Sequence, residues 1–307
     1  MTKVFIDGSA GTTGLRIHER LAERDDIELL ILPDELRKDT AARKEALHTA
    51  DIAFLCLPDD AAREAVALAE GSKVAIIETS TAHRTVEGWE YGFPELYSRR
   101  KRIADSKRIG NPGCHASGFI ALVEPLMRAG MIKKNVNLSC FSLTGYSGGG
   151  KKMIAEYEGD GRDVLLDAPR MYGLSQQHKH LKEMVKICGM DTPPIFCPIV
   201  APFYAGMEVT VPVHAKTLGA KIDEVASVYK SYYKSGLVKF VDVVDEGGML
   251  SANAFAGRDD MQITVCGNDE RILLVARYDN LGKGASGAAI QNMNILLGID
   301  EGKGLVK

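Results

Sequence analysis

The stretch VFIDGSAGTTGLRI (residues 4–17) runs from an apolar, strand-like segment through three glycines into the start of a helix. Glycines in such a loop permit a tight turn and let backbone N–H groups approach a pyrophosphate at the helix N-terminus. Their GxxGxxG spacing differs from the commoner GxGxxG, so a glycine-rich turn without a ligand stays open as the alternative. The residues predicted to hold a dinucleotide are Gly8, Ser9, Ala10, Gly11, Thr12, Thr13 and Gly14.

Short apolar runs alternate with helix-like stretches over the first hundred residues. The runs have the length and composition of buried parallel strands. They lie at 3–7, 27–32, 51–57 and 73–79, and the helix-like stretches lie at 15–23, 37–49 and 59–70. Strands that alternate with helices of this length indicate βαβ units with right-handed crossovers. We therefore predict an α/β, doubly wound, Rossmann-type dinucleotide-binding domain.

A different rhythm begins after residue 113. A helix-like stretch at 115–130 is followed by clustered strands with two inserted helices, which is typical of an α+β substrate domain with a mainly antiparallel sheet. The strands are predicted at 135–143, 194–200, 207–215, 237–244, 261–267 and 271–278, and the helices at 175–188 and 222–235. Pro212 lies in the third of these strands and predicts an edge or a bulge there.

The final helix-like stretch, GKGASGAAIQNMNILLG (282–298), carries small and apolar residues at close-packing spacings and is predicted to return to the first domain. A chain of 307 residues suggests two domains. The first is expected to comprise residues 1–113 and 282–307 and to bind NADP. The second, residues 114–281, is expected to bind substrate and carry the catalytic groups.

The end of the second strand in such a domain usually contacts the ribose of the dinucleotide. Here it continues as LPDELRKDT (32–40). Arg37 and Lys38 favour a 2′-phosphate and hence NADP, whereas Asp34 and Glu35 favour NAD. The two cations also suit the solvated start of a helix, so the preference for NADP stays open.

Composition excludes several classes of function. The 38 Lys and Arg against 41 Asp and Glu leave no basic excess for a nucleic-acid partner. The apolar runs are too short to span a membrane, and MTKVFIDG has no signal-peptide pattern. The six cysteines form no CxxC pair and no Cys/His metal spacing, so no metal centre is expected. We expect a soluble cytoplasmic enzyme with reduced thiols.

One cysteine lies in a setting unlike the others. In IGNPGCHASG (109–118), a Pro-Gly pair breaks the chain and Cys114 begins a long amphipathic stretch. A helix N-terminus lowers the pKa of a thiol, and the small neighbouring residues leave room for a substrate. The other five cysteines lie in apolar stretches and are predicted to be buried hydrophobes. Cys114 is therefore the predicted nucleophile, with a buried thiol as the alternative.

The segment QQHKHLKEM (176–184) carries two histidines in a stretch predicted to be helical. On a helix, His178 and His180 point to nearly opposite sides and cannot share a metal, whereas His180 and Glu183 share a face. A carboxylate in that place orients an imidazole and raises its basicity, as general acid–base catalysis requires. His180 with Glu183 is the predicted acid–base pair, and a solvated helix with ordinary surface histidines is the alternative.

Two further segments are candidate anion sites. SGGGKK (147–152) exposes backbone N–H groups beside lysines and predicts a phosphate-binding nest of Ser147, Gly148, Gly149 and Lys151. STAHR (80–84) follows the fourth strand, where open α/β sheets bind ligands, and Arg84 is predicted to pair with a substrate carboxylate. For each segment, a plain surface turn is the alternative.

A dinucleotide loop, a Pro-Gly-Cys thiol and a later His-x-His-x-x-Glu occur together in this chain. In that combination the chain resembles the N-acetyl-γ-glutamyl-phosphate reductase family in its short form. The stretches that carry the resemblance are FIDGSAGTTGL, LCLPDDAAREAV, STAHR, YGFPEL, NPGCHASGF, GYSGGGKK, HKHLKEM, AGRDDM and ARYDNLGKGASGAAIQNMN. One departure is His115, where the family pattern usually has Tyr or Phe.

The resemblance implies NADP(H) as the cofactor, Cys114 as the catalytic cysteine and His180, oriented by Glu183, as the acid–base residue. It also implies a homo-oligomer, a homodimer or homotetramer, with residues 114–281 as the oligomerisation domain. Positions assigned from the matching stretches are Leu57, Pro58 and Asn280 for the cofactor and His178 for the substrate.

The implied reaction is the NADPH-dependent reductive dephosphorylation of N-acetyl-L-glutamyl 5-phosphate to its 5-semialdehyde, in arginine biosynthesis. The Cys114 thiolate expels inorganic phosphate and leaves a thioester, while helix N–H groups and Asn111 steady the oxyanion. The alternatives are an aspartate-semialdehyde dehydrogenase, a related acyl-phosphate reductase with a carrier-bound substrate, and, from another class, a nucleotide-sensing protein without catalysis.

Overall fold

A computed structural model of the chain describes residues 1–242, 244 and 246–307. This part of the chain forms two compact units, each built from segments that are far apart in sequence. Unit 1 comprises residues 1–113 and 285–305, and unit 2 comprises residues 114–284 and 306–307.

The sheet of unit 1 is parallel throughout the described residues. Its strands are β1 (Thr2–Asp7), β2 (Ile27–Leu30), β3 (Ile52–Leu55), β4 (Ala75–Glu78), β5 (Glu90–Tyr91) and β6 (Arg108–Gly110), in the order β2-β1-β3-β4-β6-β5. The central strand β3 is buried at every position, as expected of a strand that is covered on both faces.

Helices lie on both faces of this sheet. They are α1 (Thr12–Ala22), α2 (Thr40–Thr49), α3 (Asp59–Leu68), α4 (Arg99–Ala104) and α10 (Gly287–Leu296). Val4 of β1 packs in one core with Ile17 of α1 and Met293 of α10. Its neighbour Phe5 packs in a second core with Leu47 of α2. Because adjacent strand residues point to opposite faces, the two cores lie on opposite sides of the sheet. The predicted doubly wound architecture is confirmed.

The direction of the crossovers reverses between β1 and β3, because β1 lies between β2 and β3. Open α/β sheets bind ligands beyond the carboxyl ends of their strands at this point. The two loops that leave these strands contain residues 8–11 and 56–58. The glycine-rich loop therefore lies where this fold binds a dinucleotide.

Unit 2 contains a mixed sheet that is mainly antiparallel, as predicted. Its strands are β7 (Ser139–Gly145), β8 (Arg170–Met171), β9 (Ile195–Ala201), β10 (Met207–His214), β11 (Val238–Phe240), β12 (Met261–Gly267) and β13 (Arg271–Tyr278). The order is β11-β12-β13-β10-β7-β9-β8, and only the pairs β11–β12 and β7–β9 are parallel among the described residues. The strand predicted at 237–244 ends at Phe240, and Val243 within it lies outside the described residues.

Pro212 lies in the half of β10 that pairs on one side. β10 pairs with β13 from Met207 to His214 but with β7 only from Met207 to Thr210. Proline lacks an N–H group, so a position with one open edge avoids the loss of a ladder hydrogen bond. The predicted edge character is therefore local, because the strand as a whole lies inside the sheet.

The helices of unit 2 are α5 (Cys114–Arg128), α6 (Gly150–Glu158), α7 (Leu181–Cys188), α8 (Ala215–Leu218) and α9 (Ile222–Tyr232). Helix α5 is buried from His115 to Leu126 and forms the centre of the unit. In the described part of the chain, no helix is long and apolar enough to cross a membrane.

Two predicted helices have different bounds in the structure. The helix predicted at 175–188 begins only at Leu181, because Gln176 has a left-handed backbone (φ 57°) and its side-chain amide bonds both backbone polar groups of Phe196. These bonds extend the edge of the sheet and compete with a helix. The helix predicted at 282–298 begins with a π-helical turn, Gly282–Ser286, before α10.

Candidate active site

The glycine-rich loop of unit 1 needs glycine at two positions. Gly8 has a left-handed backbone (φ 87°), and a Cβ there would lie 2.3 Å from the carbonyl oxygen of Cys56. A Cβ on Gly14 would lie 2.4 Å from the carbonyl oxygen of Gly8. The loop after β1 is thus pressed against the loop after β3, and helix α1 begins against the loop itself. This close approach is the role that glycines have in a dinucleotide loop.

The N-terminus of α1 offers polar groups to a ligand. Gly11 occupies the N-cap position, and no side chain caps the helix there. The hydroxyl Oγ1 of Thr12 is buried and has no hydrogen-bond partner among the described residues. An orphaned hydroxyl beside uncapped helix N–H groups suits the pyrophosphate of a dinucleotide.

The residues predicted to contact the rest of the cofactor border this loop or follow β2. Arg37 forms a 2.7 Å ion pair with Asp34 on the exposed turn after β2, and Lys38 beside it is also exposed. Leu57 adjoins Gly8, and Pro58 precedes the first residue of α3. Their contacts with a cofactor stay predictions.

Arg84 and Asn111 of unit 1 are both buried, and both form hydrogen bonds within that unit. The Arg84 guanidinium donates to the carbonyl oxygens of Asn111 and Thr79, each at 2.7 Å. The Asn111 amide donates to the carbonyl of Ala285 at 3.0 Å and accepts from Asn292 at 3.2 Å. These bonds stabilise the end of β6, and the roles of Arg84 with substrate and Asn111 with an oxyanion stay predictions.

The predicted nucleophile, Cys114, is the first residue of α5 and is partly exposed. The Tyr278 hydroxyl donates to the Cys114 carbonyl at 2.6 Å and accepts from the Gly118 N–H at 3.0 Å. An α-helix normally pairs these two backbone groups with each other. The Tyr278 hydroxyl therefore bridges these two groups in the first turn of α5 and fixes the backbone of the nucleophile. A Cβ on Gly118 would lie 2.7 Å from that hydroxyl oxygen, so glycine leaves space for it.

A tight turn also approaches Cys114 from the other end of unit 2. A Cβ on Gly284 would lie 3.1 Å from the Cβ of Cys114. The buried Asp279 carboxylate accepts from the backbone N–H groups of Leu281, at 2.6 Å, and Gly282, at 3.0 Å, and so shapes this turn. A side chain at 284 would therefore crowd the side chain of Cys114.

The two histidines of the HKH motif lie close together in unit 2. Their ring centroids are 4.7 Å apart, and the His180 backbone N–H donates to His178 Nδ1 at 3.2 Å. The prediction that they point to opposite sides is wrong, because residues 175–180 form turns and not a helix. His180 Nε2 lies 4.0 Å from Glu183 Oε1, and both side chains are buried. In the described residues no three His, Cys, Asp or Glu side chains are placed to hold a metal ion.

His115, the residue after the nucleophile, contacts this turn. Its Nδ1 lies 2.7 Å from the Ser142 hydroxyl and its Nε2 lies 2.6 Å from the Tyr172 hydroxyl. Burial, reinforced by His178, lowers the pKa of His115 to about 3, so its ring is neutral at physiological pH. The ring centroid is 5.7 Å from that of His178 and 5.7 Å from that of His180.

Comparison with known proteins shows the family of this chain. Residues 114–280 match the family model "Semialdehyde dehydrogenase, dimerisation domain", and residues 3–105 match "Semialdehyde dehydrogenase, NAD binding domain". The chain is 45% identical to N-acetyl-gamma-glutamyl-phosphate reductase 2 of Nostoc sp. over 99% of both chains. It is 43% identical to N-acetyl-gamma-glutamyl-phosphate reductase of Sinorhizobium medicae, over 96% of this chain and 98% of that protein. The chain belongs to the N-acetyl-gamma-glutamyl-phosphate reductase family.

Solved structures share the fold. Aspartate semialdehyde dehydrogenase II from Vibrio cholerae, complexed with ASA, superposes with a TM-score of 0.72 at 16% identity over 97% of this chain and 98% of that one. Aspartate semialdehyde dehydrogenase with NADP from Candida albicans has a TM-score of 0.68 at 15% identity over 97% and 98%. At these identities the likeness concerns the fold, and it confirms the predicted fold class.

In this member of the reductase family, the predicted phosphate nest lies after β7 in unit 2. The Ser147 hydroxyl accepts from the Asn280 amide at 3.0 Å, and Asn280 in turn accepts from the Gly206 N–H at 2.9 Å. The predicted contact of Asn280 with a cofactor stays a prediction, since these two bonds lie within unit 2. The exposed residues of the predicted nest are Gly148, Gly149 and Lys151.

Sequence reasoning on this family member missed Tyr172 and Tyr278. They lie 57 residues from His115 and 164 residues from Cys114, the residues that they contact. No local spacing links positions so far apart. The sequence shows that Gly284 lies in the GKG segment that opens the helix predicted at 282–298, but it does not show that Gly284 lies near the thiol.

Proposed function

We propose that this chain reduces N-acetyl-L-glutamyl 5-phosphate with NADPH, releasing inorganic phosphate and the 5-semialdehyde in arginine biosynthesis. The observation that carries the proposal is the 45% identity to a reductase of that name over 99% of both chains. Unit 2 supports it, because it holds a thiol at a helix start and a buried imidazole–carboxylate pair.

Cys114 is the nucleophile of the proposed reaction. A helix N-terminus stabilises a thiolate, and the Cys114 side chain is partly exposed there. The thiolate attacks the acyl carbonyl, a C–S bond forms, and the C–O bond to phosphate breaks to leave a thioester. Backbone N–H groups of the first turn of α5 stabilise the oxyanion of the tetrahedral intermediate.

His180 is the proton donor in the second half-reaction, the reduction of the thioester. Glu183, 4.0 Å away, favours the protonated imidazole. When the thioester carbon accepts a hydride, its oxygen becomes negative, and His180 donates a proton to it. On collapse of the resulting thiohemiacetal, its hydroxyl returns that proton to His180, the C–S bond breaks, and the aldehyde leaves with Cys114 as a thiolate.

NADP(H) fits the residues of unit 1. The orphaned Thr12 hydroxyl and the close approach of Gly8 to Cys56 form a cradle for a pyrophosphate. Arg37 and Lys38, on the turn after β2, bind the 2′-phosphate. When bound, the reduced nicotinamide supplies the hydride.

Substrate anions are held by residues of both predicted anion sites. Arg84, whose guanidinium also donates to the carbonyl oxygens of Thr79 and Asn111, binds the substrate carboxylate. Lys151 and the backbone of Gly148 and Gly149 are exposed and bind the phosphate group.

The chain forms a homodimer, alone or within a homotetramer, through the open face of the unit 2 sheet. Val209 touches Gly118 of α5, so its neighbour Thr210 faces the other side. Phe141 pairs with Thr210 and shares that open face, where it is 40% exposed. A second copy would bury this apolar surface, in agreement with the dimerisation model that matches residues 114–280.

A cytoplasmic location completes the proposal. All six cysteines are described, and they form no disulfide bond with one another. Thiols stay reduced in the cytoplasm, which the nucleophile of this reaction requires.

The reverse reaction tests the function. N-acetylglutamate 5-semialdehyde and NADP⁺ are mixed with the enzyme, with and without inorganic phosphate, and the absorbance of NADPH is followed. Phosphate-dependent formation of NADPH is the expected result. Aspartate semialdehyde is the parallel substrate, and activity with that aldehyde alone would keep the chemistry but reject the substrate. Binding of NADP⁺ without either activity would instead support a sensor.

A further inference from the structure

The neutral ring of His115 couples two hydroxyl groups behind the nucleophile. A neutral imidazole carries one N–H, so it donates at one nitrogen and accepts at the other. Its partners, Ser142 and Tyr172, lie at 2.7 Å and 2.6 Å. The direction of one hydrogen bond therefore dictates the direction of the other. Phenylalanine would keep the ring in place but would leave both hydroxyls without this partner.

The same ring contacts the acid–base turn and the nucleophile's helix. His115 is 2% exposed and is enclosed by the rings of Tyr172, His178, His180 and Phe196, with centroids 5.4–6.0 Å away. It is also the second residue of α5, bonded covalently to Cys114. One side chain thus connects the turn that carries His180 with the turn that carries the thiol.

Tyr172 lies near the thiol as well as against His115. Burial and, secondly, the Cys114 thiol raise the pKa of Tyr172 above its ordinary value, so its hydroxyl keeps its proton. A neutral phenol and a neutral imidazole therefore adjoin the nucleophile. Neither group adds a charge that would alter the balance between thiolate and imidazolium.

We propose that His115 is a positioning residue that acts through Tyr172 and through the histidine turn (residues 178–180). It holds the acid–base imidazole beside Glu183 and anchors the first turn of α5 with the same ring. This inference rests on the proposed function, because it assigns His115 a part in the same reaction.

The groups that face the acid–base imidazole come from several elements. The titratable side chains recorded against His180 are His178 of the turn, Glu183 of α7 and His115 of α5. Around these, Lys179 acts on His178, Tyr172 bonds to His115, and the Cys114 thiol acts on Tyr172. Of these, Glu183 lies 4.0 Å from His180 and favours its protonated form. Loss of the His115 ring should weaken the preference of His180 for its protonated form.

The test compares His115→Phe, Tyr172→Phe and the double variant in the phosphate-dependent reduction of NADP⁺. Each single variant should lower kcat at least about tenfold, within the range that general acid–base catalysis contributes. KM for NADP⁺ should change less than about twofold, because the cofactor is held by other residues. The double variant should lose little more than the worse single variant, because both side chains act through one hydrogen bond.

The pH dependence of activity is a second measurement, and it would not change if His115 only filled space in the core. In this direction His180 accepts a proton, so activity falls at acid pH. When the imidazole moves away from the Glu183 carboxylate, its protonation becomes less favourable, so the acid limb should move to lower pH in His115→Phe. The rate of Cys114 alkylation without substrate, measured against pH, separates thiol ionisation from this effect.

Tyr233→Phe is the matched control. Tyr233 is buried, and its hydroxyl donates to the carbonyl of Ala121 at 2.7 Å. Ala121 lies in α5, seven residues after Cys114. Its loss should lower the melting temperature about as much as Tyr172→Phe does, while kcat and the acid limb stay unchanged. If His115→Phe does not fold, Tyr172→Phe carries the test, because that side chain is only half-buried.

The results distinguish failure of the positioning role of His115 from failure of the proposed function. Wild-type kcat and pH limb in His115→Phe, or losses that simply multiply in the double variant, overturn the positioning role and leave the proposed function intact. Absence of phosphate-dependent activity in the wild type overturns the proposed function and this inference with it.

Discussion

Cys114 differs from the other thiols of the chain in its surroundings. Burial raises the pKa of Cys56 to about 12 and raises the pKa of Cys140 and Cys188 above the ordinary thiol value. Cys56, Cys197 and Cys266 are partly exposed, so the prediction that all five other cysteines are buried is wrong for these three. Cys114 is also partly exposed, but it lies at the start of a long helix, where a thiolate is stabilised. At neutral pH, reactivity should therefore concentrate at this one position.

Replacement of Cys114 by serine should abolish turnover while NADP⁺ binding persists. A serine hydroxyl is a far weaker nucleophile at neutral pH, and the residues predicted to hold the cofactor are unchanged. Iodoacetamide should modify one fast site in the wild type, with protection by substrate, and none in Cys114→Ser. The control is Cys266→Ser, where burial raises the pKa of the thiol and activity should be retained. An active Cys114→Ser enzyme would remove the nucleophile assignment.

His180→Asn should lower kcat about a hundredfold or more, and His178→Asn should lower it less. The reason is that His180 faces Glu183, whereas His178 Nδ1 accepts a backbone N–H and so has one nitrogen committed. Steady-state kinetics in the reverse direction, with melting temperatures as the folding check, measure the difference. Equal losses would remove the basis for choosing between the two histidines.

The histidine motif also shows how far spacing predicts a site. The three-residue interval from His180 to Glu183 predicted their proximity, although His180 lies just before the helix and not within it. The relation of His178 to His180 was mispredicted. Gln176 takes a left-handed conformation and bonds to Phe196 of β9, so a contact with another strand stops the helix.

At the scale of single elements, the β1–α1 loop depends on glycine for two separate reasons. Gly8 and Gly71 both have left-handed backbones, with φ of 87° and 79°. A Cβ on Gly8 would overlap the Cys56 carbonyl, whereas a Cβ on Gly71 would have nothing within 4 Å. Comparison of the two positions therefore separates backbone strain from close packing.

Gly8→Ala should raise the Kd for NADP⁺ at least about tenfold and lower the melting temperature more than Gly71→Ala does. Strain at a left-handed residue costs on the order of 1–3 kcal/mol at either site, but the overlap with Cys56 arises only at Gly8. Calorimetric titration with NADP⁺ and thermal unfolding measure the two effects. Equal Kd values in the two variants would show that this loop does not cradle the dinucleotide.

At the scale of the whole chain, two units carry different kinds of sheet. Unit 1 has a parallel sheet between helices, with Val4 and Phe5 in cores on opposite faces. Unit 2 packs α5 on one face of a mixed sheet and leaves apolar side chains such as Phe141 and Leu273 exposed on the other, at 40% and 42%. A sheet with one apolar face open to solvent is the expected form of a subunit that pairs with another copy.

Phe141→Glu should convert the enzyme to monomers at micromolar concentration, because a second copy would have to bury a carboxylate on the open face. Sedimentation velocity measures the mass directly. Ile31→Glu is the control, since Ile31 is 64% exposed and belongs to unit 1, not to the unit 2 sheet. An unchanged sedimentation coefficient in Phe141→Glu would place the interface elsewhere.

Features that depend on neighbouring residues could be inferred from the amino-acid order alone: the strands β1 to β4, the glycine-rich loop, the helix that begins at Cys114, and the family. Periodicity, backbone sterics and helix polarity act over a few residues, so they are legible along the chain. The placement of Tyr172, Tyr278 and Gly284 around the thiol emerged only from folding. Those residues lie 57 to 170 positions away from their partners. Such meetings are decided by the packing of the whole unit, where many weak contacts together outweigh local preference.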